Sequence, residues 1–197
     1  MYNIIDYKDG RDTLDYTEKQ LHSELIFDGK VLHLYRDDIL LPDGKTGFRE
    51  YCKHVGAVCI VPLTDREEVI CVKQYRYAHR KMVLEIPAGK LDAPDEDPTE
   101  AALRELREET GASCEKLTYL GPLYTTPALI DEVIHMYMAE GLTFGETDLD
   151  EDEFIEVERI PLDELVDRIC RGEVPDSKTQ ACVLRAKFEK LRRAGEV

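Results

Sequence analysis

The chain has 197 residues, of which 43 % are hydrophobic, and a formal net charge of −16. That apolar content suits one folded core, or a core with a small extra subdomain, and excludes a disordered tail. So acidic a surface, with no Lys/Arg-rich stripe, excludes nucleic acid as a partner; it admits an anionic small molecule only where local cations offset the repulsion.

The six cysteines, at positions 52, 59, 71, 114, 170 and 182, form no CxxC pair. Cys59 and Cys71 sit inside apolar runs, so reduced, mostly buried thiols of a cytoplasmic protein are expected. The five histidines lack the spacing of a zinc site. No apolar run approaches the ~20 residues of a membrane span, and the early acidic residues argue against an export signal.

Residues 1–22 are polar and weakly patterned. From 23 to 54 apolar and polar residues alternate, with turns at Asp28-Gly29 and Pro42-Asp43-Gly44, which predicts a small antiparallel sheet. The β-branched runs 57–63 and 68–77 read as a second hairpin, and 82–89 as a short strand closed by Pro87 and Gly89. A helix follows: Asp97 can cap it, Pro98 suits its first position, Glu100 falls three residues after the cap, and Gly111 can end it. Strands are predicted near 115–126, 132–140 and 154–160, with an acidic loop at 145–153. Two helices close the chain near 162–171 and 177–193; the second opens at Asp176-Ser177 and carries Ala181, Leu184, Ala186, Phe188 and Leu191 as apolar positions. This order predicts an α+β protein, with a boundary near Gly56 between an N-terminal β-sheet subdomain (1–56) and a main domain (57–197).

On the helix at 98–110, Ala102, Leu103, Leu106 and Thr110 share one arc, the expected buried face. Glu105, Glu108 and Glu109 share the adjoining arc, and Arg104 lies four residues before Glu108. Like charges at i,i+4 cost roughly 0.2–0.5 kcal/mol in an isolated helix. Two readings stay open on these residues alone: a solvated acidic face with local arginine partners, or a site for a hard divalent cation, which takes carboxylate and phosphate oxygens together.

The flanks extend the pattern to G-x6-E-x7-RELREETGA, from Gly89 through Glu96 and Arg104 to Ala112. It resembles the Nudix box of the Nudix hydrolases, G-x5-E-x7-R-E-U-x-E-E-x-G-U, where U is bulky and aliphatic. One extra residue between Gly89 and Glu96, and the small Ala112, are its departures. The resemblance covers about residues 23–190. The stretch 74–91 looks like the entry strand and loop of the ADP-ribose pyrophosphatase branch. Pro127, in the segment 125–132, resembles that branch's downstream proline, although Ala128 stands where the family more often has glycine.

The resemblance implies a Nudix-type α/β/α sandwich with a mixed sheet, and an N-terminal sheet through which such enzymes form intertwined homodimers. It implies Mg²⁺-dependent (or Mn²⁺-dependent) hydrolysis of a nucleoside diphosphate sugar: ADP-ribose plus water giving AMP and ribose 5-phosphate. Glu105 and Glu109 would be the principal metal ligands, with Glu108, Glu96, Glu153 and the Ala88 carbonyl as further ones. Arg104 would orient the glutamates, and Glu151 in the acidic loop would be the general base. Arg76 and Arg49 would bind phosphate or adenine, or be ordinary strand-edge arginines; Glu85 would hydrogen-bond the substrate, or face solvent. The rivals are a pyrophosphatase for another nucleotide sugar such as GDP-mannose, a non-catalytic ADP-ribose-binding Nudix module, and an acidic interaction protein.

Overall fold

The computed structural model describes residues 15–148 and 154–196. It divides into two compact units, Met1–Cys52 and Lys53–Val197.

The first unit is a sheet in the order β1-β2-β3, with β1 at Lys19–Asp28, β2 at His33–Leu40 and β3 at Thr46–Lys53. The pairing of β1 with β2 is antiparallel, from Lys19 opposite Leu40 to Asp28 opposite His33. The turns fall where glycine and aspartate predict them: the Gly29 N–H donates to Leu32 O at 2.9 Å, and Leu41 N–H to Lys45 O at 2.8 Å. All ten residues of β1 are exposed, among them Leu21, Leu25, Ile26 and Phe27.

The second unit is layered. Its central sheet runs β7-β4-β9-β8, from Ala88–Lys90 (β7), Ala57–Pro62 (β4), Val133–Phe144 (β9) and Ala112–Tyr124 (β8). β4 runs parallel to β9 and antiparallel to β7, so the sheet is mixed. Every residue of β4 is buried, which is why its sequence is a continuous apolar run instead of an alternation. Val58 and Ile60 face α1 (Pro98–Thr110), packing with Ala101, Ala102 and Leu106. Cys59 and Val61 face the other way. There they meet Val69 and Cys71 of β5 (Glu68–Arg76), Ile160 of β10 (Ile155–Pro161), Leu165 of α2 (Leu162–Cys170) and Cys182, Val183 and Ala186 of α3 (Ser177–Ala194). The other sheet of this unit is β10-β5-β6, with β6 at Lys81–Glu85.

The α+β class and the mixed sheet are as expected; two local expectations are not. The runs 57–63 and 68–77 are not a hairpin. They are central strands of different sheets, linked at their turn by the bridge Leu63–Val69. A strand buried on both faces needs two neighbours; β4 takes β7 and β9, β5 takes β10 and β6. The stretch 82–89 is likewise split. β6 ends at Glu85, Ile86-Pro87 crosses over, and Gly89 lies inside β7 instead of closing a strand. In α3 the inward residues are Thr179, Cys182, Val183 and Ala186. Leu184 and Phe188 are exposed, so of the five expected apolar positions only Ala186 is fully buried. All six cysteines are free: Cys59, Cys71 and Cys182 are buried, Cys52 and Cys114 half-buried, Cys170 exposed. Burial, with Glu158 nearby, pushes the Cys71 thiol up to about 12, so it stays protonated at neutral pH.

Candidate active site

Local chemistry fixes both ends of α1. Asp97 Oδ1 accepts from the Thr99 backbone N–H at 2.7 Å, and Pro98 takes the first turn. Gly111 ends the helix at φ 67°, its N–H donating to Arg107 O at 2.8 Å. A Cβ at Gly111 would stand 2.5 Å from Gly145 O, so glycine is required for space as well as for conformation.

Two i,i+4 rows of α1 face inward: Ala101, Glu105, Glu109 and Ala102, Leu106, Thr110. The expected buried arc is therefore turned by one row. Leu103 is only half-buried and Ala101 is fully buried. The turn brings two carboxylates inside, with Glu105 9 % exposed and Glu109 4 %. β7 makes room for them. A Cβ at Gly89 would lie 2.1 Å from Glu105 Cδ, so the carboxylate occupies the space a side chain there would fill. On the same strand the Ala88 N–H donates to Glu109 Oε2 at 3.3 Å.

Arg104 ties the cluster together. Its Nη1 donates to Glu105 Oε1 at 2.7 Å and to Glu108 Oε2 at 3.4 Å; its Nη2 donates to Glu96 Oε1 at 3.3 Å and to Lys90 O at 3.2 Å. Burial works against its charge, but Glu105, Asp92 and Glu96 outweigh that and raise its pKa. The extra residue before Glu96 does not take Glu96 out of the cluster; Glu96 Oε2 also accepts from the Asp92 N–H at 2.5 Å. Among the described residues, no three His, Cys, Asp or Glu side chains are grouped so as to enclose an ion as they stand. The donors gathered at β7 and α1 are all oxygens, four carboxylates with bare backbone beside Gly89, and that chemistry fits a hard divalent cation.

A cleft of about 310 Å³ opens at β7, lined by Ala88, Gly89, Lys90, Arg76, Thr125, Glu132 and the Asp176-Ser177-Lys178 start of α3. Arg76 holds Glu85 in a two-point fork, Nε to Oε1 at 2.7 Å and Nη2 to Oε2 at 2.6 Å, and Lys178 Nζ also donates to Glu85 Oε2. Glu85 is therefore buried and paired, not facing solvent. Burial pushes its carboxyl up, but Arg76 and Lys178 pull harder and hold it below the usual carboxylate value. Arg76 is raised, first by its hydrogen bonds to Glu85, with Glu109 among the further causes.

Pro127 is exposed in a turn where the Leu129 N–H donates to Thr126 O at 2.8 Å. The residues of that loop that reach the cleft are Thr125 and Glu132, bonded to each other at 2.8 Å. Arg49 belongs to the first unit, where it donates to Phe48 O at 2.9 Å and pairs with Glu18. Glu151 and Glu153 lie outside the described residues. The chain leading to them runs along α1: the Gly145 N–H donates to Gly111 O at 2.7 Å and the Asp148 N–H to Glu108 O at 3.1 Å. Sequence reasoning missed Lys178, Glu132 and Lys90. Asp176-Ser177 was legible as a helix cap, but nothing local signals that the next residue reaches Glu85, 93 positions away.

Residues 53–180 match the NUDIX domain, and residues 18–51 match the nucleoside diphosphate sugar hydrolase N-terminal domain. The chain is 45 % identical over 164 residues to the ADP-ribose pyrophosphatase of Bacillus subtilis (strain 168), covering 82 % of this chain and 88 % of that one. It is 44 % identical over 170 residues to the methanol dehydrogenase activator of Bacillus methanolicus, covering 85 % and 91 %. A crystal structure of an ADP compounds hydrolase shares the fold at a TM-score of 0.80 and 24 % identity, over 92 % of this chain and 97 % of that one. With the box residues gathered around α1 and β7 and the NUDIX domain matched over residues 53–180, the chain belongs to the Nudix family of hydrolases.

Proposed function

We propose that this protein hydrolyses the pyrophosphate of ADP-ribose, or a related ADP-sugar, giving AMP and ribose 5-phosphate. The observation that carries the reading is the pair of inward carboxylates, Glu105 and Glu109, set against the bare backbone of Gly89. Two buried like charges one turn apart are costly unless a cation joins them. The similarity to an ADP-ribose pyrophosphatase supports the choice of substrate.

Glu105 and Glu109 would hold Mg²⁺, or Mn²⁺ in its place, with Glu108, Glu96, Glu153 and the Ala88 carbonyl as further donors. A hard cation bound there supplies neutralised phosphate oxygens and a more acidic water. Arg104 keeps Glu96, Glu105 and Glu108 at fixed positions, so little reorganisation is needed when they bind. Arg76 presents a guanidinium to the phosphates. Glu151 takes the proton of the attacking water; the bond from Asp148 to Glu108 supports an acidic loop that begins beside the box helix. The exposed apolar β1 supports a homodimer formed through the N-terminal sheet, with Arg49 contributing from that sheet to substrate binding. Among the described residues no helix is long and apolar enough to cross a membrane, and the free thiols support a cytoplasmic enzyme.

The test is a panel of ADP-ribose, ADP-glucose, GDP-mannose, NADH and dinucleoside polyphosphates incubated with the protein and Mg²⁺, with products separated. ADP-ribose is expected to give AMP fastest. Faster turnover of GDP-mannose would favour the other nucleotide-sugar reading, since a GDP-mannose pyrophosphatase of Yersinia enterocolitica is 32 % identical over 160 residues. No turnover of any compound would leave a binding module only. Gel filtration is expected at about twice the 22.6 kDa of the chain; a monomer peak would refute the dimer.

A further inference from the structure

We propose that the outer face of α3 is a docking surface for an acidic amphipathic helix of a partner protein. This goes beyond the hydrolase reading and does not rest on it, since neither Leu184 nor Phe188 lines the cleft beside β7.

α3 is apolar on two opposite faces. At 100° per residue, Thr179, Cys182, Val183 and Ala186 centre on one side, and all of them are buried. Ala181, Leu184, Phe188 and Leu191 centre on the other side. Leu184 is 40 % exposed and Phe188 58 %, while Ala181 and Leu191 are half-buried. The outer face of a surface helix is ordinarily polar. An isolated exposed leucine needs no explanation, but these residues recur at the spacing of the two seam positions of a heptad. A seam of that period stays in register with another helix that repeats its apolar residues in the same way, so the element that fits it is a helix.

The charges select which helix. In a chain of net charge −16, α3 is cationic: Lys178, Arg185, Lys187, Lys190, Arg192 and Arg193 stand against Glu189 alone. Arg185 and Arg192 flank the seam on one side, Gln180 and Lys187 on the other, with no acid among them. Arg185 donates to Leu120 O at 2.9 Å, a neutral carbonyl, and pairs with no carboxylate among the described residues. Lys187 pairs with Asp163 at 2.6 Å and Arg192 with Glu189 at 2.8 Å. Both are surface pairs, which hold their cations weakly.

A second copy of the chain fits this rim badly. In a parallel pair of α3 helices Lys187 would face Arg192; in an antiparallel pair arginine would face arginine and lysine would face lysine. Either arrangement sets cation against cation. An anionic membrane fits badly too, because it repels the chain's charge of −16 as a whole. A helix with aliphatic seam residues and carboxylates beside them meets neither objection. From Ala181 to Leu191 the seam is about 15 Å long, so the contact is small and the complex short-lived.

The test uses the full chain and a fluorescent synthetic peptide of about three heptads, with leucine at both seam positions and glutamate on both flanks. A peptide with lysine on the flanks is the control, and anisotropy reads binding. The glutamate peptide is expected to bind with a micromolar Kd that weakens as salt is raised, and the lysine peptide about tenfold more weakly or worse. Phe188→Glu and Leu184→Glu are expected to weaken the glutamate peptide by about tenfold or more, and Arg185→Glu by about threefold or more, with Tm and turnover as in wild type. If Phe188→Glu does not fold, Phe188→Ser with the same peptide decides. No binding by wild type, equal binding of the lysine peptide, or an unchanged affinity in the Phe188 variant overturns the proposal. So does a lower mass of the Phe188 variant by light scattering, which assigns the face to a second copy. Co-sedimentation of wild type, but not of that variant, with phosphatidylserine–phosphatidylcholine vesicles overturns it likewise and assigns the face to a membrane.

Discussion

Gly89→Ala separates the site from the fold. The new Cβ would sit 2.1 Å from Glu105 Cδ and Oε1 and 2.3 Å from Oε2. Carbon contacts settle near 3.5–4 Å, so the carboxylate must swing away by about 1.5 Å or more. It is the far end of a flexible side chain, so the backbone need not move. The stability cost is then chiefly the Arg104–Glu105 hydrogen bond at 2.7 Å, worth about 1.5–3 kcal/mol as a charge-assisted bond. Arg104 keeps Glu96, Glu108 and Lys90 O, and the loss of glycine from the unfolded chain returns about 0.4–1 kcal/mol. The net cost is about 1–2 kcal/mol, a fall in Tm of roughly 2–8 °C for a chain of this size. Catalysis should suffer far more, because a ligand displaced by more than 1 Å costs on the order of 100-fold. Thermal melts followed by circular dichroism, with kcat/KM at several Mg²⁺ concentrations, measure both. A kcat/KM within a few-fold of wild type would refute the place given to Glu105. A Tm lowered by about 20 °C or more would refute the claim that only a side chain yields.

Glu109→Gln preserves shape and the acceptor for Ala88 N–H but removes charge; kcat is expected to fall about 100-fold or more with a higher Mg²⁺ requirement, and activity near wild type would contradict the metal role. Glu151→Gln is expected to lower kcat by about 100-fold or more while ADP-ribose still binds; an unchanged kcat would move the base to another acid of the loop. Glu85 has a depressed folded pKa, so the stability it contributes is complete above its ordinary value of 4.5 and is lost as pH falls below that. Glu85→Gln should cost about 1–3 kcal/mol at neutral pH and flatten the acid limb of the stability profile below about 4.5. An acid limb as steep as that of wild type would show that the Arg76–Glu85–Lys178 trio is not what titrates.

The helix α1 was readable because its signals are local. Asp97, Pro98 and Gly111 act on backbone within a turn of themselves, and the box spacing is fixed by the helical period. The direction of its inward face was not, because it depends on a neighbour. Hydrophobicity alone favours Leu103 inside, yet Gly89 leaves an opening on β7 that admits Glu105 and turns the helix by one row. The strand runs 57–63 and 68–77 were readable as strands but not as members of separate sheets. A four-residue turn looks like a hairpin connection in sequence, and only the burial of both faces of β4 reveals that its partners come from β7 and β9. Lys178 shows the same limit at the site. Its neighbours in sequence form a helix cap, and its chemistry comes from Glu85 on another element.

The distribution of charge explains how so acidic a chain can be built for an anionic substrate. The four box acids, Glu96, Glu105, Glu108 and Glu109, gather at one end of the sheet, with Arg104 bonded to the first three. A cation held there reverses the sign of that surface where phosphate would arrive. Beside the cleft, Arg76 and Lys178 share Glu85 and Lys178 also pairs with Asp176, two cations on two carboxylates, so none of the four stands unpaired. Removing Glu85 would leave two cations to repel each other and to bond elsewhere, so the buried acid is what lets the cations be fixed. Gly89 lines the cleft together with Arg76 and Lys178, and its missing side chain leaves the room that the Glu105 carboxylate occupies.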